Sequence, residues 1–251
     1  MTITLGYWKC RGVRVDNVDS DSLLTNDSDP QIGQPIRYLL AHVGADFDEV
    51  QYELSMPEND WHGKDKAKST LDFPNLPFLY DGDHKLSQSN AILRYLGRKY
   101  GLDGKTETEK IRIDLTEQQV EDYQGGLVKL YYMPTTTKGT LDEFREASAK
   151  DHLSSLSKFL GSHDYFSGAG ISYADFKAYE YLYMMKLFAP ADFAGHDNLV
   201  AFIQRMESLP NVAAFIASDR HIAWPISAPF AKWGNSNSNP ELDPAQSKVK
   251  D

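Results

Sequence analysis

Leu71-Asp-Phe-Pro-Asn-Leu-Pro77, with Ser87-Gln-Ser-Asn-Ala-Ile-Leu-Arg94 starting ten positions after Pro77, is the stretch on which the fold turns. An apolar extended piece stops at a proline. Pro77-Phe-Leu-Tyr80 and Lys85-Leu86 then flank Asp81-Gly82-Asp83, a strong hairpin-turn signal. A Ser-rich start opens an amphipathic helix from about Ser89 to Tyr100. Together these pieces describe a polar pocket lined by backbone.

Working backwards, residues 2 to 8 alternate as a half-buried strand with Ile3, Leu5 and Tyr7 on one face. Residues 36 to 43 read as a helix stopped by Gly44, and Phe47 to Leu54 alternates again as a strand. The order β-α-β-β-α predicts an α+β domain of thioredoxin-like order over residues 1–100, with a linker at Gly101 to Thr106. From Glu107 to about Phe215 the strand signals vanish and helical periodicities take over, as in Ile111, Leu115, Gln118 and Asp122. Residues 107–234 therefore read as an all-helical second domain. Ser172-Tyr-Ala-Asp175 has the form of a capping box, so a central helix starts there.

Two segments stand outside this plan. Residues 13–33, with five aspartates against Arg14, read as an acidic, flexible loop insertion. Residues 235–251 read as a flexible tail.

The formal net charge of −10 argues against a nucleic acid or an anionic membrane as partner. One cysteine, Cys10, excludes an intrachain disulfide, and a buried, inert thiol is the expected state. The N-terminus lacks a signal-peptide pattern, no apolar run reaches 18 residues, and a cytoplasmic protein is the expectation.

Gly6-Tyr-Trp8, Arg11-Gly12, Leu71–Pro77, Gln88–Leu93, Glu109-Lys-Ile-Arg112, Tyr132-Met-Pro134, Ile171–Phe176 and Lys232-Trp-Gly234 fall in the order and approximate spacing of a cytosolic glutathione transferase. The chain resembles the mu class over nearly its whole length, apart from the insertion and the tail. Arg94–Tyr100 and Met206–Pro210 are similar to mite members of that class, some of which are allergens. The resemblance implies a homodimer that conjugates reduced glutathione, a co-substrate, to hydrophobic electrophiles in detoxification. It implies no bound cofactor and no metal.

The resemblance also assigns residues. Tyr7 matches the sulfur-facing tyrosine that stabilises the thiolate. Trp8 matches the tryptophan beside the glycine carboxylate, with Trp61 and Lys66 flanking it; an apparent one-residue insertion leaves Lys64 as the alternative to Lys66. Asn75 and Leu76 match the positions that bind the cysteinyl backbone, and Pro77 the cis-proline that holds this turn open. Gln88 and Ser89 match the anchors of the γ-glutamyl end, at a helix start suited to an anion. Asp122 has the spacing of an aspartate that reaches across the dimer interface. Tyr132 matches a second tyrosine over the electrophile pocket, and Val13 by forward count, or Ile32 by backward count, fills its apolar lining position.

Three departures stand out: Lys9 and Cys10 after Tyr-Trp, Glu58 where the family has an arginine, and the insertion itself. The insertion and the missing arginine motivate a rival reading, a non-catalytic binder of hydrophobic ligands. A glutathione-dependent isomerase on the same fold is a third.

Overall fold

The structure, a computed structural model, describes residues 2–11, 13–14, 31–53, 60–133, 135–229 and 231–235. Glu58, Leu54, Pro134, most of the insertion and the tail from residue 236 lie outside the described residues.

The alternating strand at the N-terminus is β1 (Ile3–Trp8), an inner strand of a four-stranded sheet, flanked by β4 (Phe47–Tyr52) and β5 (Phe78–Asp81), with β6 (His84–Ser87) beyond β5. The flanking elements are β2 (Val13–Arg14), β3 (Gln31–Ile32), α1 (Gln34–His42) and β4 (Phe47–Tyr52). β4 runs parallel to β1, as a β-α-β crossover requires. A π-helical turn at Trp61–Asp65 leads into the short α2 (Lys66–Lys68). β5 (Phe78–Asp81) and β6 (His84–Ser87) form the hairpin, with Gly82 at a φ of 60° in its two-residue turn. β5 pairs antiparallel with β1 at Gly6 and Phe78. Only glycine fits at residue 6, because a Cβ there would lie 2.1 Å from Phe78 Cε1. Helix α3 (Ser89–Tyr100) completes the domain and ends on Gly101 in the left-handed conformation.

The helical part comprises α4 (Glu107–Tyr132), α5 (Lys138–Phe144), α6 (Lys150–Leu160), α7 (Tyr173–Phe188), α8 (Asp197–Ser208) and α9 (Pro210–Ile216). Thr106 caps α4 by accepting from the Glu109 backbone N–H at 3.2 Å. At α7 the capping box is present: Asp175 accepts from Ser172 N at 2.8 Å and Ser172 Oγ at 2.7 Å. The same carboxylate accepts from Phe166 N at 2.8 Å, so it also pins the preceding turn. The stripe Ile111, Leu115, Gln118 and Asp122 is helical, but it forms the outer face of α4; Ile113, Val120, Leu127, Val128 and Tyr131 face the core.

The insertion is closed at its base, because Val13 pairs with Ile32 and Arg14 with Gln31 in an antiparallel ladder. Asn235, which the sequence reading puts in the tail, is instead buried and donates from Nδ2 to Ala231 O at 2.5 Å.

Residues 221–235 run back across both parts of the molecule. Arg11 N donates to Pro225 O at 2.9 Å, Ala228 N to Tyr132 Oη at 2.9 Å, and Lys232 N to Tyr131 O at 2.6 Å. His221 fixes the start of this segment. Its Nε2 lies 3.0 Å from Arg11 Nη1 and 3.1 Å from Tyr38 Oη. Arginine only donates, so Nε2 is the unprotonated nitrogen. Burial, together with the facing guanidinium groups of Arg11 and Arg37, lowers the His221 pKa to about 4. A histidine whose folded pKa lies below its unfolded value adds stability that is complete above the unfolded value and lost as the pH falls towards the folded one. Urea unfolding of the native chain should therefore show stability falling from about pH 6.5 to pH 4, with a shallower slope in His221→Gln. Equal slopes would remove His221 from the account.

Candidate active site

The sheet brings the end of β1 against the loop that follows α2. Tyr7, Trp8, Cys10, Tyr52, Trp61, Leu71, Leu76 and Phe78 form one buried cluster. Four residues singled out in the sequence, Tyr7, Trp8, Trp61 and Leu76, thus meet although they are spread over 70 positions. Trp8 stacks on His62 at 5.7 Å, and Trp61 on Phe78 at 6.0 Å, with Tyr52 edge-on to both indoles. The Trp61 indole N–H is buried and finds no hydrogen-bond partner among the described residues. A buried donor of this kind is costly unless a ligand receives it.

Tyr7 is fully buried and is located by two groups on α1 that the sequence reading missed. Gly33, the N-cap of α1, lies flat against its ring; a Cβ there would be 2.5 Å from Tyr7 Cδ1. The Arg37 guanidinium lies 5.5 Å from the ring centroid. It also donates to Cys10 O at 3.1 Å, to Trp8 O at 3.4 Å, and from Nε to Glu49 Oε1 at 2.6 Å. Arg37 therefore ties the backbone on the C-terminal side of Tyr7 to α1 and β4 at once. The glycine before a proline-bearing helix start was the sequence signal for the close approach of Gly33 to Tyr7.

The loop Leu71–Pro77 ends in a cis Leu76–Pro77 bond. Ser87 Oγ donates to Phe73 O at 2.6 Å, which binds the loop to the end of β6. The Leu76 N–H donates to Asn75 Oδ1 at 2.9 Å within the loop. Ser87 lies opposite Phe78 in the hairpin, so Gln88 and Ser89 emerge beside this loop. Gln88 has a φ of 72°, the only positive value at a non-glycine among the described residues. Such a conformer costs on the order of 1–3 kcal/mol and persists where its surroundings over-determine it. Here they are β6 on one side and the first turn of α3 on the other. That turn carries no acidic side chain, so its N–H groups keep their affinity for an anion.

The remaining residues are less tightly grouped. Lys66 is half-buried and Lys64 exposed, and neither is joined to the cluster by a hydrogen bond among the described residues. Asp122 is exposed on α4, where it accepts from Gln118 Nε2 at 3.2 Å. Tyr132 is buried, with its hydroxyl on the Ala228 N–H. Val13 and Ile32, which the two sequence counts offered as alternatives, are partners in the β2–β3 ladder, and Ile32 is buried. Among the described residues no group of three His, Cys, Asp or Glu side chains is placed to hold a metal ion, and no helix is long and apolar enough to cross a membrane.

A thioredoxin-like domain with a cis-proline loop beside a helix N-terminus, followed by a helical domain, is the two-domain architecture of the cytosolic glutathione transferase fold. Residues 32–98 match the glutathione S-transferase N-terminal domain and residues 121–219 the C-terminal domain. The glutathione S-transferase of Dermatophagoides pteronyssinus is 39% identical over 236 residues, covering 92% of this chain and 97% of that one. Glutathione S-transferase Mu 1 of Mus musculus is 39% identical over 239 residues, covering 94% of this chain and 100% of that one. The crystal structure of the glutathione S-transferase Blo t 8 superposes with a TM-score of 0.76 at 29% identity, over 92% of this chain and 100% of that one. The chain belongs to the glutathione S-transferase family, with mite and mammalian mu-class enzymes among its relatives.

If Gly33 is the seat of the Tyr7 ring, Gly33→Ala should lower stability by about 1–3 kcal/mol in urea unfolding through overpacking. Gly125→Ala, in open space on α4, should instead raise it by about 0.5–1 kcal/mol. Equal effects at the two sites would contradict the close approach.

Proposed function

We propose that this chain is a glutathione transferase that adds the sulfur of reduced glutathione to hydrophobic electrophiles. The observation that carries this reading is the single buried cluster that joins Tyr7 to Trp8, Trp61 and Leu76. The tripeptide lies along the loop and α3. Leu76 offers backbone groups to the cysteinyl unit as an added strand would, once its N–H exchanges Asn75 Oδ1 for the peptide carbonyl. Gln88 and Ser89 receive the γ-glutamyl end at the helix start. Trp8, the unpaired Trp61 N–H and Lys66 serve the glycine carboxylate.

In the reaction the thiol proton is lost, the sulfur attacks the electrophilic carbon, and either a leaving group departs or the acceptor takes up a proton. A free thiol has a pKa of about 8.5, and lowering it by about two units takes about 2.7 kcal/mol of preference for the anion. One charge-assisted hydrogen bond contributes about 1.5–3 kcal/mol, so the Tyr7 hydroxyl alone accounts for most of this. The apolar acceptor lies against Val13 or Ile32 and beneath Tyr132, whose hydroxyl stabilises developing charge.

The assembly is a cytoplasmic homodimer. In support, Phe73 is 73% exposed on the loop, and Ile111 and Leu115 are 51% and 54% exposed on the α4 face that carries Asp122. Asp122 reaches the partner's γ-glutamyl ammonium from this face.

Conjugation of glutathione to chlorodinitrobenzene tests the reading, with oligomeric state checked on the same sample. The native dimer should turn over the acceptor. Tyr7→Phe should lose about 10- to 100-fold in kcat, and the apparent pKa of the bound thiol should rise towards about 8.5. Retention on immobilised glutathione without turnover would favour the hydrophobic-ligand binder, and full activity in Tyr7→Phe would overturn the role of its hydroxyl.

A further inference from the structure

Three helices meet in a polar ladder at the junction of the two domains, and each supplies two residues spaced by four. From α3 come Asn90 and Arg94, from α4 Glu117 and Glu121, and from α7 Tyr173 and Lys177. One rung joins Arg94 to Glu117, from Nε to Oε2 at 2.9 Å and from Nη2 to Oε1 at 2.8 Å, with Tyr173 Oη donating to the same carboxylate at 2.7 Å. In the other, Lys177 Nζ donates to Asn90 Oδ1 at 2.7 Å and pairs with Glu121, while Asn90 Nδ2 donates to Glu121 Oε2 at 3.0 Å. Spacing by four places both residues of each helix on one face.

The second rung is the unusual one. Lys177 is only 4% exposed, and a lysine is rarely buried to that degree. A hydrophobic side chain there would avoid the desolvation that a buried ion pair suffers, so stability is weak grounds for its presence. Its contacts end on Asn90, the residue after Ser89 in the first turn of α3. That turn also holds the strained Gln88, with a φ of 72°. Both amide atoms of Asn90 are engaged, so the turn is fixed to α4 and α7 together.

We propose that Lys177, acting through Asn90 and Glu121, is a positioning residue for the γ-glutamyl end of glutathione. It holds the first turn of α3, and with it Gln88 and Ser89, in the orientation that receives the peptide carboxylate. The proposal rests on the placement of glutathione given above. The pair with Glu121 is neutral overall, so the effect is on geometry at the peptide end and leaves the electrophile end untouched.

Steady-state kinetics on the dimer separates this role from a structural one. Lys177→Met and Asn90→Ala should each raise KM for glutathione about tenfold, with KM for chlorodinitrobenzene within about twofold of native. If Lys177 acts through Asn90, the double variant should be no worse than either single one. Arg94→Met, on the other rung, should lower the melting temperature with KM for glutathione unchanged. Additive effects, or an Arg94→Met variant that raises KM equally, would reduce the second rung to a domain tie and overturn the proposal. Should Lys177→Met fail to fold, Asn90→Ala with Glu121→Gln carries the same test. Ser89→Ala keeps the two readings apart: an unchanged KM there would sink the placement of glutathione itself. A raised KM in Ser89→Ala beside a native KM in Lys177→Met would sink only the present inference.

Discussion

The completely buried guanidinium of Arg37 is the constraint on which the site depends. It reaches the carbonyls of Trp8 and Cys10, the carboxylate of Glu49 and the face of Tyr7. Removing one partner of a buried, hydrogen-bonded ion pair typically costs about 3–5 kcal/mol, because the other charge is left uncompensated. At this position the loss would fall on the backbone that aims Tyr7. Strand end, first helix and edge strand are thus set by one side chain. Tyr7, proposed to carry the catalytic hydroxyl, thus sits on β1 of the sheet, while the Leu71–Pro77 loop and the start of α3 lie beside it.

A second buried arginine, Arg11, extends this order to the helical domain. It forms a two-point pair with Glu180 of α7, at 3.1 and 3.0 Å, donates to Tyr38 at 2.8 Å and lies 3.8 Å from the Tyr183 ring centroid. His221 completes the group and brings in the returning C-terminal segment, whose Ala228 N–H occupies the Tyr132 hydroxyl. Tyr132 and the sheet are therefore linked through buried polar contacts, where each bond is stronger than in water. The ladder between α3, α4 and α7 plays the corresponding part at the start of α3.

Much of the fold was legible because its signals are local. The Asp81-Gly82-Asp83 turn, the Ser172–Asp175 cap and the alternation of Ile3, Leu5 and Tyr7 each act over a few residues, and each element formed where they point. The candidate site was legible through motifs, and the structure gathers Tyr7, Trp8, Trp61 and Leu76 into one cluster. What escaped was contact between distant parts. Nothing local marks Arg37 as the residue behind Tyr7, or Lys177 as the partner of Asn90, because those pairings follow from helix docking. The stripe of Ile111 and Leu115 has the period of a core face yet looks outward, since period alone does not tell which partner a helix face meets. The choice between Val13 and Ile32 had no answer in counting along the chain, because the two positions are partners in one ladder.

The central claim is that Leu71–Pro77, the start of α3 and Tyr7 form one tripeptide cradle. A crystal structure with reduced glutathione tests it most directly. The account predicts the sulfur within hydrogen-bond distance of the Tyr7 hydroxyl, the cysteinyl backbone paired with Leu76, and the γ-glutamyl carboxylate on Ser89. Glutathione bound elsewhere, or with its sulfur turned away from Tyr7, would contradict it.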